Sequence, residues 1–388
     1  MELHKKPVLP VGFSCASKNC GIKDKGNDLS VFISEVPANA AGVFTKNLFP
    51  GAPVILGREI IRHGRLQGIV VNSKVSNVGT GKQGINNAQR MADAVATEFG
   101  FSAKEVMMSS TGVIAKQLPV ELIENGLKGI GALLTSDPLV GAEGIMTTDT
   151  YPKAISLSVG DSIITIVGKG SGMIEPNMAT MLVYIFTDAD IETKDLDSFL
   201  RDSVKDSFNM LSVDTDTSTS DTCIIMANGK KGKVDNDLFL ESLKFACIEM
   251  TKLLARDGEG ATKLLTTEVN NAVSEQEARI IAKSLVNSPL IKTMAFGADP
   301  NIGRVLMAVG KCFDATIDPE KIEVIINGTT VYKDLDRVDF EEENVRKLLS
   351  GEIVHIAVNL NQGNFNARAY GCDFTQGYIE ENAAYYSS

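Results

Sequence analysis

Apolar residues in this chain are spaced in two ways, and each spacing predicts a different element. MLVYIF (181–186) and the stretch GIVVNSKV (68–75) carry unbroken apolar runs of strand length, which predicts strands buried on both faces. INNAQRMADAVATEFG (85–100) repeats its apolar positions as an amphipathic helix does and stops at a glycine. DNDLFLESLKFACIEMTKLLARDG (235–258) predicts a longer helix with an acidic start and a glycine stop. AISLSVGDSIITIVGKG (154–170) has two alternating β-rich runs around Gly160-Asp161, a hairpin.

Further along, LLTTEVNNAV (264–273) predicts a strand. SEQEARIIAKSLVNSPLIKTMAFG (274–297) predicts a helix, with Ser274 as cap and Glu277 completing a capping box. IEVIINGTTVY (322–332) turns at Asn327-Gly328, and with residues 353–375 it reads as a small α/β domain. A fresh strand and helix begin near 268–275. The expected division is therefore 1–270, containing the candidate chemistry, and 271–388.

Composition narrows the class. The chain has 388 residues, more than the roughly 250–300 at which single cores stop growing, so two domains are expected. With 44% apolar and 22% charged residues it reads as a soluble globular protein, and a net charge of −11 argues against nucleic acid or an anionic membrane as partner. No apolar run has the length of a spanning helix, and MELHKKPVLPVGF has neither a signal-peptide nor a transit-peptide character, which points to the cytoplasm. Six dispersed cysteines read as core thiols. Three histidines (His4, His63, His355) leave little material for a histidine-based triad, and no metal site is expected.

Several motif-like fragments fail on inspection. VGTGKQG (78–84) has Ser76 where a P-loop needs its first glycine and Gln83 where it needs Ser or Thr. VDTDTSTSDTCI spaces Asp214, Asp216 and Ser218 like a calcium loop but has Thr219 and Ile225 at the glycine and glutamate positions, leaving a polar turn before a strand. GKGSG (168–172) leads to Pro176 and a strand rather than a helix, so it is no dinucleotide fingerprint. No cofactor is expected.

What remains is GKGSGMIEPNMATMLVY (168–184), which joins a glycine-broken loop to the apolar run through Ala179-Thr180. By pattern alone the plainer reading is a turn feeding a strand, with Thr180 an ordinary strand opener. The chemical reading is that the Thr180 hydroxyl attacks the Ala179 carbonyl and water then cleaves the ester, leaving Thr180 as a new amino terminus. Its α-amine, with an intrinsic pKa of about 7.7–8.0, then serves as base for its own hydroxyl. Small Ala179, the loop before it and the rigid strand after it supply what that chemistry needs.

KGSGMIEPNMATMLVYIFTDA, AGVFTKNLFPGAPV, SSTGVIAKQLP, GIMTTDTYPKA, SFNMLSVDTDTSTSDT, EGATK, VNSPLIKTMAFGADPNIGR and ENAAYYSS together resemble the ornithine acetyltransferases of arginine biosynthesis, also called glutamate N-acetyltransferases, over nearly the whole chain. The resemblance implies a layered α/β/β/α sandwich of the ornithine acetyltransferase and aminopeptidase type with a second, smaller α/β domain. It implies autocatalytic cleavage between Ala179 and Thr180, with Thr180 the nucleophile and Thr111 and Gly112 an oxyanion hole. Thr147, Lys169, Thr180, Glu259, Asn382 and Ser387 match the family's substrate-binding positions. Lys169 suits a carboxylate, Glu259 an ammonium, and Thr147 and Asn382 amide and carboxylate hydrogen bonds.

The implied substrates are N2-acetylornithine and glutamate, with acetyl-CoA a second candidate donor, and the implied assembly is two α and two β chains from one precursor. Two alternatives stay open: a self-processing amidase or aminopeptidase, and a non-catalytic binding protein that keeps the fold. One stretch departs from the family. Where relatives typically read NSGNANACTG, residues 72–81 read NSKVSNVGTG, with Lys74 in place of a glycine. The ending NAAYYSS carries two tyrosines, and the tail is expected to fold back so that Asn382 and Ser387 complete the pocket.

Overall fold

A computed structural model describes residues 1–175 and 181–383, so Ala179, Thr180 and Ser387 lie outside the described residues. The chain divides into two compact units. The first comprises Met1–Gly170, Pro176–Asn209 and Thr217–Met250; the second comprises Ser171–Glu175, Met210–Asp216 and Thr251–Ser388. The division expected at 270/271 instead falls inside a strand, and two short earlier segments join the second unit. Those segments carry no sequence signal because each is too short to have a period.

The strands of the first unit are β1 (Phe13–Lys18), β2 (Leu29–Phe44), β3 (Arg65–Asn72), β4 (Val106–Ser110), β5 (Lys153–Val159), β6 (Ser162–Lys169) and β7 (Leu182–Ala189). After β8 (Leu211–Ser212) comes β9 (Thr222–Gly232). Seven of them lie in the order β4-β3-β2-β9-β7-β6-β5, and β1 pairs with β2. The β3–β4 and β7–β9 pairs are parallel and the rest antiparallel, a mixed sheet. The predicted hairpin is β5–β6, turning at Gly160 with φ 58°. The strand read at 68–75 ends at Asn72, where backbone turns of positive φ at Lys74 and Asn77 begin.

Helices cover this sheet. In chain order they are α1 (Ala52–Ile60), α2 (Gly81–Phe99), α3 (Val120–Leu127), α4 (Pro138–Ile145), α5 (Thr193–Lys205) and α6 (Asn236–Arg256). Ala88, Met91, Ala92 and Val95 of α2 follow helical spacing and pack with Val31, Val70 and Met108 on one face of the strands. Phe32, Leu66, Tyr184 and Phe186 form the core of the other face with Ala142 and Ile145 of α4. Every residue of β7 is buried, which explains its unbroken apolar run.

The second unit holds its own mixed sheet of β8 with β10 (Leu264–Ala272), β11 (Glu323–Ile326), β12 (Thr329–Lys333), β13 (Asp336–Arg337), β14 (Ile353–Asn359) and β15 (Phe365–Cys372), in the order β13-β12-β11-β14-β10-β15-β8. Its helices are α7 (Glu275–Asn287), α8 (Pro289–Phe296), α9 (Ile302–Gly310), α10 (Glu342–Leu349) and α11 (Gln376–Asn382). Ser274 caps α7 by accepting from Glu277 N–H, one half of the expected capping box, while the Glu277 carboxylate accepts from Thr316 N–H at 2.8 Å. The single helix read over 274–297 is two, because Pro289 cannot continue a helix and instead opens α8 with Ser288 as its cap. The fold is thus mixed α/β, built on two mixed sheets.

The six cysteines are free thiols, five of them buried. Among the described residues, no helix is long and apolar enough to cross a membrane. Phe186 sits between Phe13 and Phe32, with ring centroids 5.2 Å from each. Phe186→Ala should therefore cost about 3–5 kcal/mol in chemical denaturation; a loss under about 1 kcal/mol would mean that this aromatic cluster is not the packed centre of the first unit.

Candidate active site

In the first unit, the parallel strands β3 and β4 end together, and their pairing continues past both ends. Thr111 N–H donates to Asn72 O at 3.0 Å, Val113 N–H to Lys74 O at 3.0 Å and Ala115 N–H to Val78 O at 2.9 Å. Ser110 Oγ donates to Asn72 Oδ1 at 2.6 Å, while Asn72 Nδ2 donates to Val75 O at 2.8 Å, so one buried asparagine clamps the two loops. This close approach requires glycine at 112, where φ is 125° and a Cβ would lie 2.2 Å from the Lys74 carbonyl carbon. Among the described residues nothing accepts a hydrogen bond from Gly112 N–H. That leaves an oriented backbone donor beside the Thr111 hydroxyl.

Lys169, the last residue of β6, is buried, and its Nζ donates to Thr111 Oγ1 at 3.3 Å. It pairs with Leu182 of β7, so residues 170–181 connect two adjacent strands. Met181, which follows Thr180, is buried, and its carbonyl accepts from Thr222 N–H at 2.9 Å. Asp149 organises the neighbouring loop. Its Oδ1 accepts from Lys153 Nζ at 2.7 Å and Gly170 N–H at 2.8 Å, and its Oδ2 accepts from Thr147 N–H at 3.0 Å. Burial raises the pKa of this carboxyl, but the Lys169 and Lys153 ammoniums outweigh burial and hold it down at about 2.

In the second unit, Glu259 N–H donates to Ser171 O at 2.9 Å, and the Glu259 carboxylate lies so close to Gly172 that a Cβ there would be 2.3 Å from it. Asn382 Nδ2 donates to Glu259 Oε2 at 2.7 Å and to Tyr378 O at 2.9 Å. Asp214 accepts from Met173 and Ile174 N–H at 2.6 and 2.8 Å, and Tyr378 Oη donates to it at 3.4 Å. Burial raises the Asp214 pKa against these backbone donors. Among the described residues, no three His, Cys, Asp or Glu side chains group as metal ligands would.

The model of the ArgJ family matches residues 14–387. The chain belongs to the ArgJ family. It is 44% identical to arginine biosynthesis bifunctional protein ArgJ 2 of Clostridium acetobutylicum over 97% of this chain and 98% of that one. It is 40% identical to glutamate N-acetyltransferase Oat2 of Streptomyces clavuligerus, over 98% of each. Among solved structures, the arginine biosynthesis bifunctional protein of Bacillus halodurans is similar with a TM-score of 0.50 and 38% identity, covering 52% of this chain and 98% of that chain. As an ArgJ protein, this chain is an acyltransferase of arginine biosynthesis, of the glutamate N-acetyltransferase and ornithine acetyltransferase type.

Of the residues singled out in sequence, the structure brings Thr111 to Lys169 and Glu259 to Asn382, and places Thr147 on the loop that Asp149 holds. Thr180, Ala179 and Ser387 lie outside the described residues. The departure at Lys74 is a backbone matter as well as a chemical one. Its φ of 78° costs a non-glycine residue roughly 1–2 kcal/mol. Sequence reasoning missed Asp149, Lys153, Asn72, Asp214 and Tyr378. The opposite charges of Asp149 and Lys153 four residues apart were a usable signal, whereas Asp214 looked like any turn aspartate.

Gly112→Ala should lower unfolding stability by about 1–3 kcal/mol, through the strained φ and the contact with Lys74. If urea denaturation left the variant at wild-type stability, loops 72–78 and 110–115 would not be joined as closely as described.

Proposed function

We propose that this enzyme transfers an acetyl group from N2-acetylornithine to glutamate through an acetyl-threonine at Thr180, after cutting itself between Ala179 and Thr180. The reading rests on the Gly112 N–H, which has no acceptor among the described residues, beside the Thr111 hydroxyl at strand ends held by their own pairing. Such donors stabilise a tetrahedral oxyanion, and removing one typically costs about 100- to 1000-fold in turnover. Cleavage is supported by Bacillus halodurans, whose solved chain is matched almost completely by only 52% of this one. A chain of about half the length is what one cleavage product would be.

In the first half-reaction the Thr180 α-amine takes the hydroxyl proton as Oγ bonds to the acetyl carbon. The oxyanion collapses, the amide C–N bond breaks, and the proton passes to the departing nitrogen of ornithine. In the second, the glutamate amine attacks the ester carbonyl, the C–Oγ bond breaks, and the amine's proton returns through the Thr180 α-amine to Oγ. Acetyl-CoA serves as a second donor, in keeping with the bifunctional name of the relatives. Lys169 holds the substrate carboxylate, Thr147 hydrogen-bonds the amide, and Glu259, fixed by Asn382, receives the ammonium, with Ser387 contributing from the tail. The enzyme is a cytoplasmic heterotetramer of two α chains (1–179) and two β chains (180–388).

Purified wild type should run as two chains of those residues on a denaturing gel, and Thr180→Ala as one. It should convert N2-acetylornithine and glutamate to ornithine and N-acetylglutamate. A wild-type protein that stayed intact would rule out Thr180 as an exposed amino terminus, and free acetate as the main product would make it a hydrolase.

A further inference from the structure

The peptide that carries the Gly112 N–H lies between two loops that share one side chain. Asn72 is completely buried at the end of β3, and Ser110 is buried beside it at the end of β4. Asn72 Nδ2 donates to Val75 O at 2.8 Å, and because a carbonyl can only accept, Oδ1 must be the atom that faces Ser110 and accepts from its Oγ at 2.6 Å. The first bond closes the turn 72–75, in which Lys74 is left-handed with a φ of 78°. That turn brings the Lys74 carbonyl to Val113 N–H at 3.0 Å and against Gly112, while Ser76 N–H and Oγ hold Val113 O at 3.0 and 2.8 Å. The second bond holds Ser110, directly before the Thr111 N–H that donates to Asn72 O.

The Thr111–Gly112 peptide is thus gripped from before and after. Backbone pairing fixes where it lies, but the direction of its N–H turns on the φ of a glycine, which has no Cβ to limit it. The side-chain ties supply that limit. An amide is suited to both because it donates and accepts at once, whereas a carboxylate could serve only Ser110. We propose that Asn72 is a positioning residue for acyl transfer, its amide aiming the Gly112 N–H at the oxyanion by bonding Ser110 on one side and closing the 72–75 turn on the other. The proposal rests on the reading of Gly112 as an oxyanion donor. Asn72 acts through its two hydrogen-bond partners. A misdirected donor weakens the transition state and leaves ground-state binding as it was, so the effect falls on kcat rather than KM. One donor serves both tetrahedral intermediates, so both half-reactions slow together.

The test is rapid-quench kinetics at one fixed pH, with rates normalised to β chains that begin at Thr180. Asn72→Ala should lower kcat about tenfold or more, part of the roughly 100- to 1000-fold that loss of a whole donor costs. Its KM for N2-acetylornithine should stay within about twofold of wild type. Acetylation of Thr180 and its discharge to glutamate should slow by the same factor. Ser110→Ala removes one hydroxyl and none of the backbone bonds, and it decides the question if Asn72→Ala stays uncleaved or gives no cooperative melting curve. Its kcat should fall about threefold or more with KM unchanged, and adding it to Asn72→Ala should cost nothing further. Folded variants that keep the wild-type kcat, lose activity through KM or slow one half-reaction alone would overturn the role of Asn72. Thr111→Val tests the underlying reading by removing the neighbouring hydroxyl donor. If it lowers kcat while the Asn72 and Ser110 variants do not, only the role of Asn72 falls; if none of the three lowers kcat, the oxyanion reading falls with it.

Discussion

A carboxylate taken out of water must be neutralised or surrounded by charge and donors, and Asp149 is surrounded. That constraint ties together three parts of the first unit. The loop after α4, the first residue of β5 and the residue after β6 are all tied to two oxygen atoms. Because the ties are mostly to backbone N–H groups, they place the chain itself rather than one rotamer. Lys169 and Thr147 inherit their positions from it. Breaking such a pair on one side is costly because the other charge stays buried, so the arrangement is rigid as well as charged.

The remaining chemistry sits on equally stiff parts. Gly112 is presented by two parallel strands whose pairing runs past their ends, with the Asn72 side chain tying strand end to loop. On the other side, the completely buried β7 begins two residues after Thr180. Sites on strand ends hold their geometry better than sites on free loops. The left-handed backbone at Lys74 lies in the same clamp, and the clamp over-determines a conformation that lysine alone would avoid.

How much of this was readable in the sequence follows from what carries a signal. The β7 run, the Gly160 turn and the Ser274 cap were legible because buried strands, tight turns and helix starts each demand particular residue types. The break at Pro289 was equally written but hidden inside a continuous apolar period. β8, two residues long, and the segment Ser171–Glu175 could not be read as part of the second unit, since their membership comes from long-range pairing alone. The family resemblance supplied Thr111, Gly112, Lys169, Glu259 and Asn382. It named no role for Asp149, whose importance appears only when Gly170, 21 residues on, is seen to share it with the nearby Thr147 and Lys153.

The central claim is that Thr180 carries the acetyl group. It is tested most directly by quenching the enzyme with acid during turnover of N2-acetylornithine without glutamate, then sequencing the trapped peptide by mass spectrometry. The account predicts one acetyl group on Thr180, at the amino terminus of the β chain and lost when glutamate is added before the quench. An unmodified Thr180 throughout turnover, or a stable acetyl group on another side chain, would contradict it.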